Sequence, residues 1–149
     1  MKRWIIIWTL ALTLIQATGQ EVNNYSLSEK GGSIELSQFL SISGAEENSA
    51  LLQRFDKLIN RLEKIKQRRN SDYAFLKSIF YKTHTSLLIE YDRLATMDQT
   101  LQKGEFGCLT GTALYALILK HFGYEYQIIE LPNHVFIHLS IDEKSYVFE

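Results

Sequence analysis

The sequence predicts an α+β domain in which a helical hairpin precedes a buried helix packed on a short antiparallel sheet. Three observations predict it. Two apolar stripes at helical spacing fill residues 51–91, with only Asn70-Ser71-Asp72 between them. A small-residue apolar segment follows from Cys108 to Phe122. Alternating apolar and polar residues then run to the end of the chain, broken at Pro132-Asn133 and at Asp142-Glu143-Lys144.

Residues 1–19 stand outside this domain. Lys2 and Arg3 precede an apolar run from Trp4 to Ile15, and Ala17-Thr18-Gly19 supplies small residues for cleavage. That pattern reads as a secretory signal peptide, too short to span a bilayer at about 20 residues. The expected location is secreted or periplasmic, with no stable membrane insertion after cleavage. Residues 20–48 read as flexible or weakly structured, with Gly31-Gly32 able to turn a hairpin between Tyr25 and Phe39.

The domain proper spans 49–149. Leu51, Phe55, Leu58, Leu62 and Ile65 recur at steps of four and three, behind Ser49 as an N-cap. The other face carries Arg54, Lys57, Arg61, Lys64, Lys66, Arg68 and Arg69. With no aromatic residues between the charges, it reads as a solvated face rather than a nucleic-acid surface. Asn70 or Ser71 restarts the helix, and Tyr73, Leu76, Phe80, Leu87, Leu88 and Tyr91 form its apolar face. So short a connection makes the two helices an antiparallel hairpin. His84 lies on the second helix with no neighbour at metal-ligand spacing, and reads as a packed helix residue. Residues 94–107 read as a connection. The third helix ends at Gly123, with Lys120 and His121 in its last turn. The chain ends within a strand pattern, so either the last strand is very short or part of the domain lies beyond this sequence.

The formal net charge is −1. Removing Lys2 and Arg3 from the 16 basic residues leaves 14 against 17 acidic ones, a balance that asks for no nucleic acid and no anionic membrane. An exported chain often pairs its cysteines, but this one has a single thiol, Cys108. An unpaired thiol is either buried and inert or chemically used.

The neighbours of Cys108 favour use. It follows Gly104-Glu105-Phe106-Gly107 and opens the third helix. A helix N-terminus carries about half a positive charge and favours a thiolate, and its outward N–H groups suit an oxyanion. His134 opens a strand downstream, where it is placed to act as base. His138 shares its face about 13 Å further along and is the weaker candidate. Glu149 is the acid to orient the ring. A hairpin turning on Asp142-Glu143 puts Glu149 opposite Phe136 and diagonal to His134; a turn one residue earlier puts it opposite His134. A slip of one residue in total sends it to the other face.

From Gly104 to Glu149 the sequence resembles the transglutaminase-like branch of the papain-like thiol enzymes, in its small bacterial exported form. The shared pattern is Gly-x-x-Gly-Cys, the helix Thr110-Gly111-Thr112-Ala113-Leu114-Tyr115, Gly123-Tyr124, His134-Val135-Phe136, and Val147-Phe148-Glu149. The resemblance implies a papain/transglutaminase-like core with Cys108 as nucleophile, His134 as base and Glu149 as acid. It implies a protein or peptide substrate attacked at an amide through a thioester, with hydrolysis or acyl transfer as outcome, and no metal or organic cofactor. Three features depart from the family. The acid is Glu rather than Asp, Leu109 replaces the tryptophan after the nucleophile, and Trp4 and Trp8 both lie in the leader. Tyr91 or Gln102 then stands in for the tryptophan near the oxyanion. Some family members have lost activity, so the alternative is a non-catalytic secreted binding domain. The oligomeric state is not legible.

Overall fold

The computed structural model describes residues 23–26, 36, 40 and 49–149. The leader and the Gly31-Gly32 turn lie outside the described residues. The architecture is α+β: four described helices with a four-stranded antiparallel sheet and a small parallel pair.

Helix α1 runs Ser49–Lys66 and α2 runs Asp72–Ser86, packed on each other across the turn 67–71. Ser71 caps α2, its hydroxyl accepting from the Ala74 amide. Leu51, Leu58 and Leu62 of the α1 stripe are buried. On α2 the buried residues are Phe75, Leu76, Ile79 and Thr83, whereas Tyr73 is exposed.

Helix α2 stops at Ser86, short of the expected Tyr91. The Leu87 and Leu88 amides both bond the Thr83 carbonyl, which closes the last turn. The Ile89 and Glu90 amides then bond the Gly104 carbonyl, drawing the chain into strand β2, Glu90–Tyr91. Leu87 and Leu88 stay in the core from this new position. The expected connection also holds structure. Helix α3 spans Met97–Lys103, with Thr96 and Gln99 bonded to each other at its start. Gly104 ends it at φ 85, the left-handed conformation that glycine adopts without steric cost. Strand β3, Glu105–Phe106, pairs parallel with β2 and leads directly into α4, Cys108–His121.

The remaining strands are β4 (Gln127–Leu131), β5 (His134–Ile141) and β6 (Lys144–Phe148). Strand β4 starts later than the alternation from Tyr124 suggests. Its outer neighbour is β1, Asn23–Ser26, so part of the stretch expected to be weakly structured completes the sheet. Leu36 and Leu40 from the same stretch are buried in the core. The β5–β6 hairpin turns on Asp142 and Glu143, both at positive φ (51 and 63), as a mirror-image two-residue turn requires.

The basic face of α1 is more than a solvated surface. Arg54 donates to the Gln102 carbonyl in the last turn of α3. Lys66 donates to the Phe122 carbonyl at the C-cap of α4, at 3.0 Å. Its ammonium also lies 5.6, 5.2 and 5.4 Å from the ring centres of Phe75, Phe122 and Tyr124. Both contacts set a cation at the electronegative end of a helix. His121 and Glu63 add a 3.1 Å pair between α4 and α1.

Candidate functional site

Cys108 is the first residue of α4, and Gly107 before it is extended (φ −113, ψ 177). Gly107 is buried because the loop before α3 lies against it. A Cβ there would sit 2.9 Å from the Arg93 carbonyl oxygen and 3.1 Å from that of Asp92. The Thr110 hydroxyl accepts from the Gly107 amide at 3.0 Å and so fixes the approach of the chain to the helix. At the first helical position the Cys108 amide has no preceding turn to bond to, which leaves an N–H at the helix end. Cys108 is half-buried.

His134 opens β5 opposite Leu131. Of the registers open to the sequence, the structure takes the one turning on Asp142-Glu143. Ile137 pairs with Phe148, so Glu149 follows diagonally from His134. The two side chains meet: His134 Nε2 donates to Glu149 Oε2 at 3.0 Å. A carboxylate only accepts, so Nε2 is the donor, and Nδ1 makes no hydrogen bond to a described residue. The Phe136 ring stacks beside the imidazole at 5.7 Å and 28°. The pair is partly open, with side chains 40% and 62% exposed.

What brings α4 to this strand is Thr112, whose hydroxyl donates to the Val135 carbonyl at 2.9 Å. The register explains why that carbonyl is available. Residues flanking a two-residue hairpin exchange hydrogen bonds, so Leu131 and His134 pair and the next residue, Val135, points its backbone away from β4. Thr112 meets it on that side. It lies one turn beyond Cys108, so the thiol end of α4 is set beside the opening residues of β5. The Cys108 sulfur itself makes no hydrogen bond to His134 or to any other described residue. The structure thus joins His134 to Glu149, on the strand face that alternates with buried Ile137, Leu139 and Phe148, and ties α4 to the neighbouring Val135 through Thr112, with no hydrogen bond between thiol and imidazole.

The remaining histidines are engaged elsewhere. His138 Nε2 lies 2.7 Å from the Ser145 hydroxyl. His84 Nδ1 donates to the Leu88 carbonyl at 3.3 Å, which leaves Nε2 buried and without a partner. Of the stand-ins for the missing tryptophan, Tyr91 packs edge-on against Phe106, 5.8 Å between centres, two residues before Cys108. The backbone carbonyl of Gln102 accepts from Arg54 of α1. Thr110 and Thr112 are the positioning residues that sequence reasoning missed. Their spacing from Cys108 was readable, but their partners depend on packing. Among the described residues no group of three His, Cys, Asp or Glu side chains is arranged to hold a metal ion. No described helix is long and apolar enough to cross a membrane.

The chain matches no protein-family model, no curated protein and no solved structure. The functional reading therefore rests on the chemistry of these residues.

Proposed function

We propose that the protein is an exported cysteine-dependent hydrolase or acyl transferase of the transglutaminase-like kind, acting on amide bonds of a protein or peptide. The 3.0 Å hydrogen bond between His134 and Glu149 carries this reading. It orients an imidazole with one nitrogen free, at the strand end that the thiol-bearing helix meets. In the proposed reaction the Cys108 thiolate attacks the amide carbon and an S–C bond forms. The C–N bond breaks, and the amine leaves with the proton held by His134. Water or a second amine then attacks the thioester, gives its proton to His134 and expels the thiolate. The Cys108 N–H at the helix end is the donor for the developing oxyanion. This chemistry uses no metal or organic cofactor.

The test is alkylation of Cys108 with iodoacetamide across pH, for the wild type and His134→Ala. The expected result is fast alkylation well below pH 8 that is lost in the variant. A midpoint at about 8.5, that of an ordinary thiol, in both proteins overturns the reading.

One observation favours a second reading, a secreted domain that binds a partner without catalysis. The thiol makes no hydrogen bond to the imidazole. Under that reading Cys108→Ala changes packing alone, and partner binding survives it.

A further inference from the structure

Helix α1 carries its opposite charges on separate flanks. At about 100° per residue, Arg54, Lys57 and Arg61 fall within an arc of about 60°, and the acids Asp56 and Glu63 lie about 100° or more from each of them. The basic arc faces the end of α2. Arg54, Lys57 and Arg61 line a cavity of about 200 Å³ together with Leu58, Ser86 and Leu87, and no carboxylate lines it. Arg54 is held in place there, its Nη1 donating to the Gln102 carbonyl. Lys57, Arg61 and the Ser86 hydroxyl make no side-chain hydrogen bond or ion pair with any described residue. Cations beside a helix end commonly serve to neutralise it, as Arg54 and Lys66 do for α3 and α4. The end of α2 closes without one: the Thr83 carbonyl accepts from the Leu87 and Leu88 amides, and the Tyr81 and Lys82 carbonyls accept from the Thr85 hydroxyl. Lys57 and Arg61 also stand one turn apart, where like charges repel. Three positive charges thus surround one concavity against their own repulsion, and two of them, with a hydroxyl, have no partner in the fold.

We infer that this cleft between α1 and the end of α2 binds a phosphate group. A phosphate ester carries close to two negative charges and several acceptor oxygens at neutral pH. Arg61 and the remaining Arg54 donors offer planar forks to those oxygens, Lys57 a point charge and Ser86 a hydroxyl donor. The volume sets the size of the ligand. A drug-sized molecule needs about 300 Å³ or more, so the cavity takes one phosphate and the first atoms of the group it is attached to. No aromatic side chain lines it, so a nucleobase has nothing to stack on. The site is independent of the chemistry proposed for Cys108 and stands if that chemistry fails.

Titration with inorganic phosphate at constant ionic strength, followed by nitrogen-15 NMR, tests it. The expected result is a saturable shift of the Arg54 and Arg61 Nε–H signals and of the Ser86 amide. The double variant Lys57→Gln, Arg61→Gln should bind about tenfold more weakly or worse, the effect of losing one charge-assisted hydrogen bond. Its melting temperature should equal or exceed that of the wild type, because the repulsion is gone. The double variant Lys64→Gln, Arg68→Gln makes the same change of net charge outside the cleft and should leave the affinity nearly unmoved. A shift that never saturates, an equal weakening in both double variants, or no response to phosphate overturns the inference. Sedimentation with phosphatidylcholine vesicles containing phosphatidic acid distinguishes the source of the phosphate. Pelleting that is lost in the Lys57, Arg61 variant and competed away by inorganic phosphate assigns the cleft to a lipid headgroup, and absence of pelleting assigns it to a soluble ligand. Pelleting that survives the variant, in a protein whose signals phosphate does not shift, overturns the inference in favour of a membrane contact elsewhere.

Discussion

Replacing Glu149 by Gln separates the catalytic reading of the His134–Glu149 pair from a structural one. The two side chains are held at 3.0 Å and are 40% and 62% exposed. A pair so exposed contributes at most about 1 kcal/mol to stability, so Glu149→Gln is expected to leave the unfolding midpoint nearly unmoved. Its effect on the thiol is different in kind. An alkylation that proceeds through a thiolate–imidazolium pair uses the carboxylate to balance the ring charge. With charge centres about 4 Å apart in a water-like medium, that interaction is worth about 1 kcal/mol, or about fivefold in rate. Gln also offers both a donor and an acceptor, so it no longer fixes the ring proton on Nε2. The expected result is about a fivefold slower iodoacetamide reaction at pH 6.5, measured by mass spectrometry, with urea unfolding unchanged. Rates equal to wild type, or a loss of stability beyond about 1 kcal/mol, refute the reasoning. The first shows that the acid does not act through the ring, and the second that the pair is a structural clasp.

Three further outcomes follow from the packing. Lys66→Met keeps the apolar stem but removes the cation from three rings and from the Phe122 carbonyl; urea unfolding should show a loss of about 1 kcal/mol. Gly107→Ala and Gly111→Ala should move stability in opposite directions. A Cβ at Gly107 meets backbone oxygens at 2.9 and 3.1 Å and costs about 1–3 kcal/mol, while at Gly111 its nearest neighbour is the Phe106 ring at 3.5 Å, an ordinary contact, so the helix gains about 0.5–1 kcal/mol. Burial raises the Tyr115 phenol above its ordinary range. The folded state therefore keeps its proton where the unfolded chain has lost it, so stability is full below about pH 10 and falls as pH rises further. Tyr115→Phe should flatten that fall between pH 9 and 11.5 in urea titrations; an unchanged slope refutes the assignment. The raised phenols of Tyr124 and Tyr126 leave a residual slope.

The sequence made the local features legible and hid the ones that depend on distant partners. The stripe of α1, a cap at Asn70 or Ser71 and the Cys108 helix start were readable, because each follows from side-chain periodicity or from the geometry of a few adjacent residues. The register of β5 with β6 was left open between two turns that put His134 and Glu149 on one face and a slip that separates them, and folding selects the turn on Asp142-Glu143. The end of α2 was not readable. No glycine or proline marks it, and what stops the helix is the Gly104 carbonyl, reached through tertiary folding. Helix α3 did have a local signal in Thr96 and Gln99, but it is short and follows an irregular stretch. The pairing of β1 with β4 joins segments about a hundred positions apart, which no local pattern encodes. The distance from the thiol to the ring depends on how a helix end settles against a sheet margin, which is likewise beyond local pattern.

The charges of α1 and the thiol of α4 are placed to act independently. Lys66 sits at the C-cap of α4 and Cys108 at its first residue, so the helix separates them by about 20 Å. At physiological ionic strength that is more than two screening lengths of about 8 Å, which leaves little of a cation's field at the sulfur. Lys66 therefore does not activate Cys108; in the proposed reading the helix end and His134 do. The basic face holds the C-terminal ends of α3 and α4, a task that leaves the opposite end of α4 free for chemistry. The consequence is measurable. Lys66→Met should lower stability and leave the iodoacetamide rate unchanged, while His134→Ala should do the reverse. A rate that rises as stability falls in both variants means that the thiol reports global opening of the fold, and the case for a built site at Cys108 is then lost.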